Sequence, residues 1–141
     1  MAYWLFKTEP EAWSWEQQKG RGAAGEPWSG VRNHQAANNM KAMKKGERGF
    51  FYHSGDEKRI VGIVEVIGDY RPDPTDETGR FGLVDVKAVA DLPKPFTLLE
   101  AKQDPKLAEM VLVKFSRLSV QPVRDTEWKH ICKLGGVKKE L

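Results

Sequence analysis

At 141 residues, with 40% hydrophobic and 10% aromatic side chains, the chain can build one sizeable core, which excludes intrinsic disorder. Its 23 lysines and arginines against 20 aspartates and glutamates give a formal charge of +3, which permits a nucleic-acid partner without requiring one. A single cysteine, Cys132, excludes a disulfide framework and makes the cytoplasm the natural compartment, and no apolar run is long enough to span a membrane.

In chain order, residues 1–6 are apolar but lack a basic front and a small-residue cleavage site, so no signal peptide is expected. Residues 3–8 read as a strand closed by Glu9-Pro10. Residues 14–19 read as a short helix, with Ser14 as N-cap and Gly20 as stop. Residues 20–30 are a Gly- and Ala-rich loop, and 33–45 a helix with Ala36, Ala37, Met40 and Met43 on one face. A strand at 50–53, a turn at 54–57 and a returning strand at 59–66 make a hairpin. The returning strand is apolar on both faces, which suits a barrel wall covered by helices. A prolyl loop over 71–76 leads to a strand over 81–89. Helices follow at 97–103 and 106–111, a short strand at 117–120, and a last helix at 126–134 with Asp125 as N-cap and Gly135-Gly136 as stop. Residues 138–141 read as a frayed tail. With no βαβ rhythm, the prediction is one α+β domain over residues 1–141: a small mixed, mostly antiparallel β-barrel flanked by helices.

The segment Trp28-Ser29-Gly30-Val31-Arg32-Asn33 stands out, because no helix or strand period obliges Trp28 to face a core. Two readings stay open for it: a plug at a barrel end, or one wall of a base-binding cage. Arg32 can pair with a nearby carboxylate or hold a phosphate. Asn33 is a good N-cap, and the helix start also offers free N–H groups. His53 and Ser54 end a hairpin strand, where a barrel presents side chains to a ligand. Lys41, Lys44, Lys45, Arg48, Lys58 and Arg59 read either as a solvated face or as a track for a phosphate backbone. His34, His53 and His130 lack metal-ligand spacing, so no metal site is expected. Cys132 lies four residues after Trp128 and reads as a core cysteine. No catalytic motif is present, although Glu9, His53 or Asp85 could serve as acid or base if folding gathered them around a heterocycle.

Several blocks carry a family likeness: residues 3–10 (YWLFKTEP), 28–33 (WSGVRN) with Gln35-Ala36 and Asn38-Asn39, 50–54 (FFYHS), 61–63 (VGI), 72–75 (PDPT), 84–87 (VDVK) and 117–123 (RLSVQPV). Together they resemble the EVE domain family, along nearly the whole chain and in its compact bacterial form. The resemblance implies a PUA-like fold related to YTH domains. It also implies a non-catalytic, cofactor-free reader of modified nucleobases in DNA or RNA, expected to be a monomer. By position it makes Trp28 a cage wall, with Ser29, Gly30, Val31 and Asn33 near the base edge. Thr8, Glu9, His53 and Ser54 would line the same pocket. Ser29 stands where the family has aspartate, and Phe81 where it has a tryptophan, which makes Phe81 the candidate second wall. An enzyme acting on a nucleobase and a protein-interaction domain are the alternatives.

Overall fold

Apolar residues occupy both faces of the central strands, and the sheet they form is covered on both sides. The computed structural model describes residues 1–115 and 117–137; the expected frayed tail lies outside them. In chain order the elements are β1 (Tyr3–Thr8), α1 (Trp15–Gly20), β2 (Glu26–Pro27), α2 (His34–Ala42), β3 (Arg48–His53), β4 (Arg59–Val66), β5 (Arg71–Pro72), β6 (Gly82–Leu83), β7 (Asp85–Thr97), α3 (Leu98–Gln103), α4 (Val111–Lys114), β8 (Val120–Val123) and α5 (Asp125–Leu134). Short 3₁₀ turns lie at Gly22–Ala24 and Pro105–Leu107. Six strands curl into a half-barrel in the order β2-β7-β4-β3-β1-β8, and β5 pairs with β6 beside it. β1 and β3 run parallel; the other pairings among the described residues are antiparallel. This is the mixed, helix-flanked α+β architecture that the sequence predicts.

Alternation along β1 and β3 sorts their side chains onto two cores. Trp4, Phe6 and Phe51 face inward with Val64, Val86, Met40 of α2, and Trp28. Leu5, Phe50 and Ile63 face outward under Leu107, Met110, Trp128 and Ile131. Tyr3 and Phe50 stack on Trp128 of α5, with ring centroids 4.3 and 4.1 Å away. Each such side chain contributes about 1.5–3 kcal/mol by burial.

Several elements depart from expectation. α2 ends at Ala42, three residues short of the predicted helix, because Glu47 collects the turn that follows. Its carboxylate accepts from Lys44 N–H (2.9 Å), Ala2 N–H (3.0 Å) and the Trp4 indole (3.0 Å). Burial pushes this carboxyl up, but those donors outweigh it and hold it below the usual range. β7 runs to Thr97, well past residue 89. Pro93 and Pro95 lie inside its shift of register against β4, where no ladder N–H is needed. The predicted helix over 106–111 divides into a 3₁₀ turn capped by Asp104 and the separate α4. The strand expected at 117–120 begins only at Val120: β8 runs to Val123 and pairs with β1 as an edge that tolerates Pro122. Part of the loop over 20–30 forms the 3₁₀ turn and β2, and α5 is capped at Arg124 instead of Asp125.

Gly62 in β4 leaves room for the Trp15 ring: a Cβ added there would fall 2.2 Å from the indole. The ring is held by its N–H to Asp91 (2.7 Å) and cannot simply swing away. Gly62→Ala is therefore expected to destabilise the fold by about 1–3 kcal/mol. A urea titration checks this; an unchanged midpoint would mean that the ring relocates freely.

Candidate functional site

Where β1 ends, Glu9 O accepts from the N–H groups of Ala12 (2.9 Å) and Trp13 (3.0 Å), and this turn brings Trp13 to the sheet end. Ser14 then caps α1, accepting from Gln17 N–H. The Trp28 loop arrives from the other side, anchored by Trp28 N–H to Val84 O at 2.8 Å. Between the two lies a cavity of about 390 Å³, within the range of about 300–1,000 Å³ typical of small-ligand sites.

Trp28 is packed as the plug reading has it, and its ring also borders the cavity. Only 7% exposed, it meets the rings of Phe6 (5.2 Å, 62°) and Phe51 (5.6 Å, 87°) edge to face. Ser29, Gly30, Val31, Arg32 and Thr8 line the same cavity. Lys7, Trp13, Glu26 and Ser119 line it as well. Trp13 is the aromatic residue that sequence reasoning missed. Its indole N–H donates to Gln18 Oε1 at 2.9 Å, which fixes the ring at the rim.

The loop is latched from a segment more than forty residues away. Asp73 Oδ2 accepts from Gly30 N–H (2.8 Å) and from Arg32 Nη1 (3.1 Å). Its Oδ1 accepts from the Thr75 N–H (2.8 Å) and hydroxyl (2.6 Å), and Arg32 Nη2 reaches Thr75 Oγ1 at 2.9 Å. Burial raises the Asp73 carboxyl, but these donors prevail and draw it down to about 2. Arg32 thus has the carboxylate partner that was one of its two readings. Lys7 is half-buried, and burial lowers its ammonium below the ordinary range.

Other expected site residues stand elsewhere. Asn33 caps α2, its Oδ1 accepting from Ala36 N–H at 2.9 Å, and borders a different hollow with Gln35 and Arg117. The Glu9 side chain is exposed and does not line the cavity. His53 is satisfied: Nε2 accepts from Trp15 N–H (3.0 Å), and Nδ1 lies 2.9 Å from Glu57. Ser54 lines a neighbouring hollow. Phe81 packs on His34 (4.9 Å) and lies under the Arg32 guanidinium (5.9 Å), outside the cavity lining. Asp85 pairs with Arg71 at 3.0 Å, so Glu9, His53 and Asp85 are not gathered into one acid–base group.

The basic residues divide into two sets. The register pairs Tyr3 with Arg48 and Thr8 with His53, so the ends of β3 lie roughly 17 Å apart. Lys44, Lys45 and Arg48 are at the end remote from the cavity, Lys41 lies in the last turn of α2, and Arg48 is paired with Glu65 (3.0 Å). Lys58 and Arg59 are at the near end, and Arg59 is paired with Glu57 (3.1 Å). Among the described residues no group of three metal-ligating side chains occurs, and no helix is long and apolar enough to cross a membrane.

A curled mixed half-barrel with a cavity bordered by Trp13 and Trp28 at the end of its parallel strand pair defines a PUA-like module. The chain belongs to the EVE domain family, whose model matches residues 2–134. Human thymocyte nuclear protein 1 is 31% identical over 165 residues, covering 94% of this chain and 73% of the human protein. The crystal structure of human THYN1 in complex with 5-methylcytosine-containing DNA is similar with a TM-score of 0.89 and 31% identity, covering 100% of both chains. A crystal structure from Agrobacterium tumefaciens reaches a TM-score of 0.95 at 50% identity, covering 99% of this chain and 97% of the other. A YTH domain from Zygosaccharomyces rouxii, at 18% identity and a TM-score of 0.58 over 99% of this chain and 87% of its own, shares the fold.

Proposed function

We propose that this protein is a non-catalytic reader of modified nucleobases, taking a base out of its strand into the cavity between Trp28 and Trp13. One observation carries the reading: the loop at residues 28–32 lines a ligand-sized cavity in a chain of the family to which DNA-bound human THYN1 belongs. Stacking on an indole contributes about 1–3 kcal/mol per base captured, and the polar lining adds the contacts that read the base edge. The Thr8 and Ser29 hydroxyls and the Glu26 carboxylate can accept from a base amine, and Lys7 can donate to a base carbonyl. The latched Arg32 fixes the loop and presents its remaining N–H groups to a phosphate. Methylated DNA is the first ligand class to test.

A screen of plain and modified single- and double-stranded oligonucleotides by fluorescence anisotropy tests this. At least one modified strand is expected to bind more tightly than its plain counterpart, and affinity is expected to fall as salt rises. Trp13→Ala should reduce that preference without unfolding the protein, because Trp13 lies at the rim. Equal affinity for every strand would sink the proposal, and so would turnover of a ligand in the cavity.

A further inference from the structure

A second hollow, of about 310 Å³, adjoins the Trp28 cavity across the end of β1, and Lys7 lines both. Its other walls include Tyr52, Ser54, Lys58 and Lys102. We propose that this hollow holds one backbone phosphate of the strand whose base occupies the Trp28 cavity, an inference that rests on the base-reading function.

Three observations support it. The lining carries three ammonium groups and no acid. Lys58 and Lys102 make no ion pair among the described residues, whereas Arg32, Arg48, Arg59 and Arg71 each have a carboxylate within 3.1 Å. Tyr52 is only 2% exposed, and its hydroxyl has no hydrogen-bond partner among the described residues. That hydroxyl is free to donate into the hollow, and a phosphate oxygen would accept from it. Lys58 is, in addition, the one non-glycine among the described residues with positive φ (48°). Such a backbone is strained for a lysine, and glycine or asparagine would occupy that position more easily. The arrangement also suits the connectivity of a nucleotide. Thr8 and Lys7 alternate across the end of β1, so a base on one side can continue to its phosphate on the other.

The test is the salt dependence of oligonucleotide affinity for the parent, for the double variant Lys58→Gln/Lys102→Gln, and for Lys129→Gln/Lys133→Gln as an equal charge change on α5. Plain and modified strands are both used. The first pair is expected to weaken binding of both strands about tenfold at low salt, the size of one charge-assisted contact. It should also lower the slope of log affinity against log salt by about 0.7–0.9, the value for one phosphate. The α5 pair should do neither, and Tyr52→Phe should weaken binding a few-fold with an unchanged melting temperature. If both lysine pairs act equally, or neither acts, the phosphate site is wrong while a preference for the modified strand still stands. If the slope falls but the parent shows no preference, the phosphate site stands and base reading fails. A parent that binds no strand overturns both.

Discussion

Replacing Trp28 by alanine is expected to remove most discrimination between modified and plain strands, a loss of about 1–3 kcal/mol or roughly 5- to 150-fold in affinity. The same change is expected to lower stability by about 3–5 kcal/mol, because the ring is buried against Phe6 and Phe51. Its loop setting alone would have allowed removal without harm to the fold; its packing does not. Trp28→Phe separates the two effects. It keeps an aromatic edge for Phe6 and Phe51 but offers a smaller face to the ligand, so stability should fall by about 1–2 kcal/mol while discrimination still drops several-fold. Binding measured well below each variant's melting temperature, beside denaturant titrations, checks both. A folded Trp28→Ala protein that discriminates like the parent would exclude the cage.

The second large effect is at Asp73. Asp73→Asn turns an acceptor into a donor facing Gly30 N–H and the Arg32 guanidinium. It is expected to cost about 2–3 kcal/mol, or roughly 5–10 °C in melting temperature, and to loosen the Trp28 loop. The pH dependence follows from the depressed carboxyl. Its value is about 2 in the folded protein against an ordinary aspartate value of 3.8, so between those values the unfolded chain binds the extra proton. The contribution is therefore complete above about pH 4 and is lost as pH falls through about 2, amounting to about 2 kcal/mol. The gap between parent and Asp73→Asn should narrow over that interval. A gap of constant width from pH 6 to pH 2 would mean that the carboxylate is not what holds the loop.

The fold was legible in the sequence wherever a signal was local. β4 declares itself through apolar residues on both faces, and the Ser14 and Asn33 caps place the starts of α1 and α2. What escaped depended on partners far along the chain. Glu47 ends α2 by gathering donors from residues 2, 4 and 44, and no local pattern announces that. β7 carries two prolines that argue against a strand until the register shift against β4 accommodates them. At the site, Trp28, Ser29, Gly30, Val31 and Arg32 were legible as one contiguous loop, and Thr8 through the family likeness. Trp13 and Asp73 were not, because the first joins the cavity only through the turn at Glu9 and the second reads as an ordinary prolyl-loop acid until its donors are seen. Asn33 and Glu9 adjoin cavity residues in sequence, and His53 and Ser54 adjoin Thr8 across the pairing of β1 with β3, yet all four face elsewhere, since neighbours on a strand or at a helix start point in different directions.

The tether from Asp73 to the Trp28 loop has a thermodynamic consequence for recognition. A glycine-containing loop left free would have to give up its conformational entropy at the moment of capture, at about 1–2 kcal/mol per residue ordered. Here Gly30 N–H and Arg32 are fastened by Asp73, a group of the protein itself, so that entropy is surrendered during folding. A guest should therefore meet a surface already in its receiving shape. Its association rate should be set by encounter and base extrusion, and its lifetime on the protein by the fit of the ring.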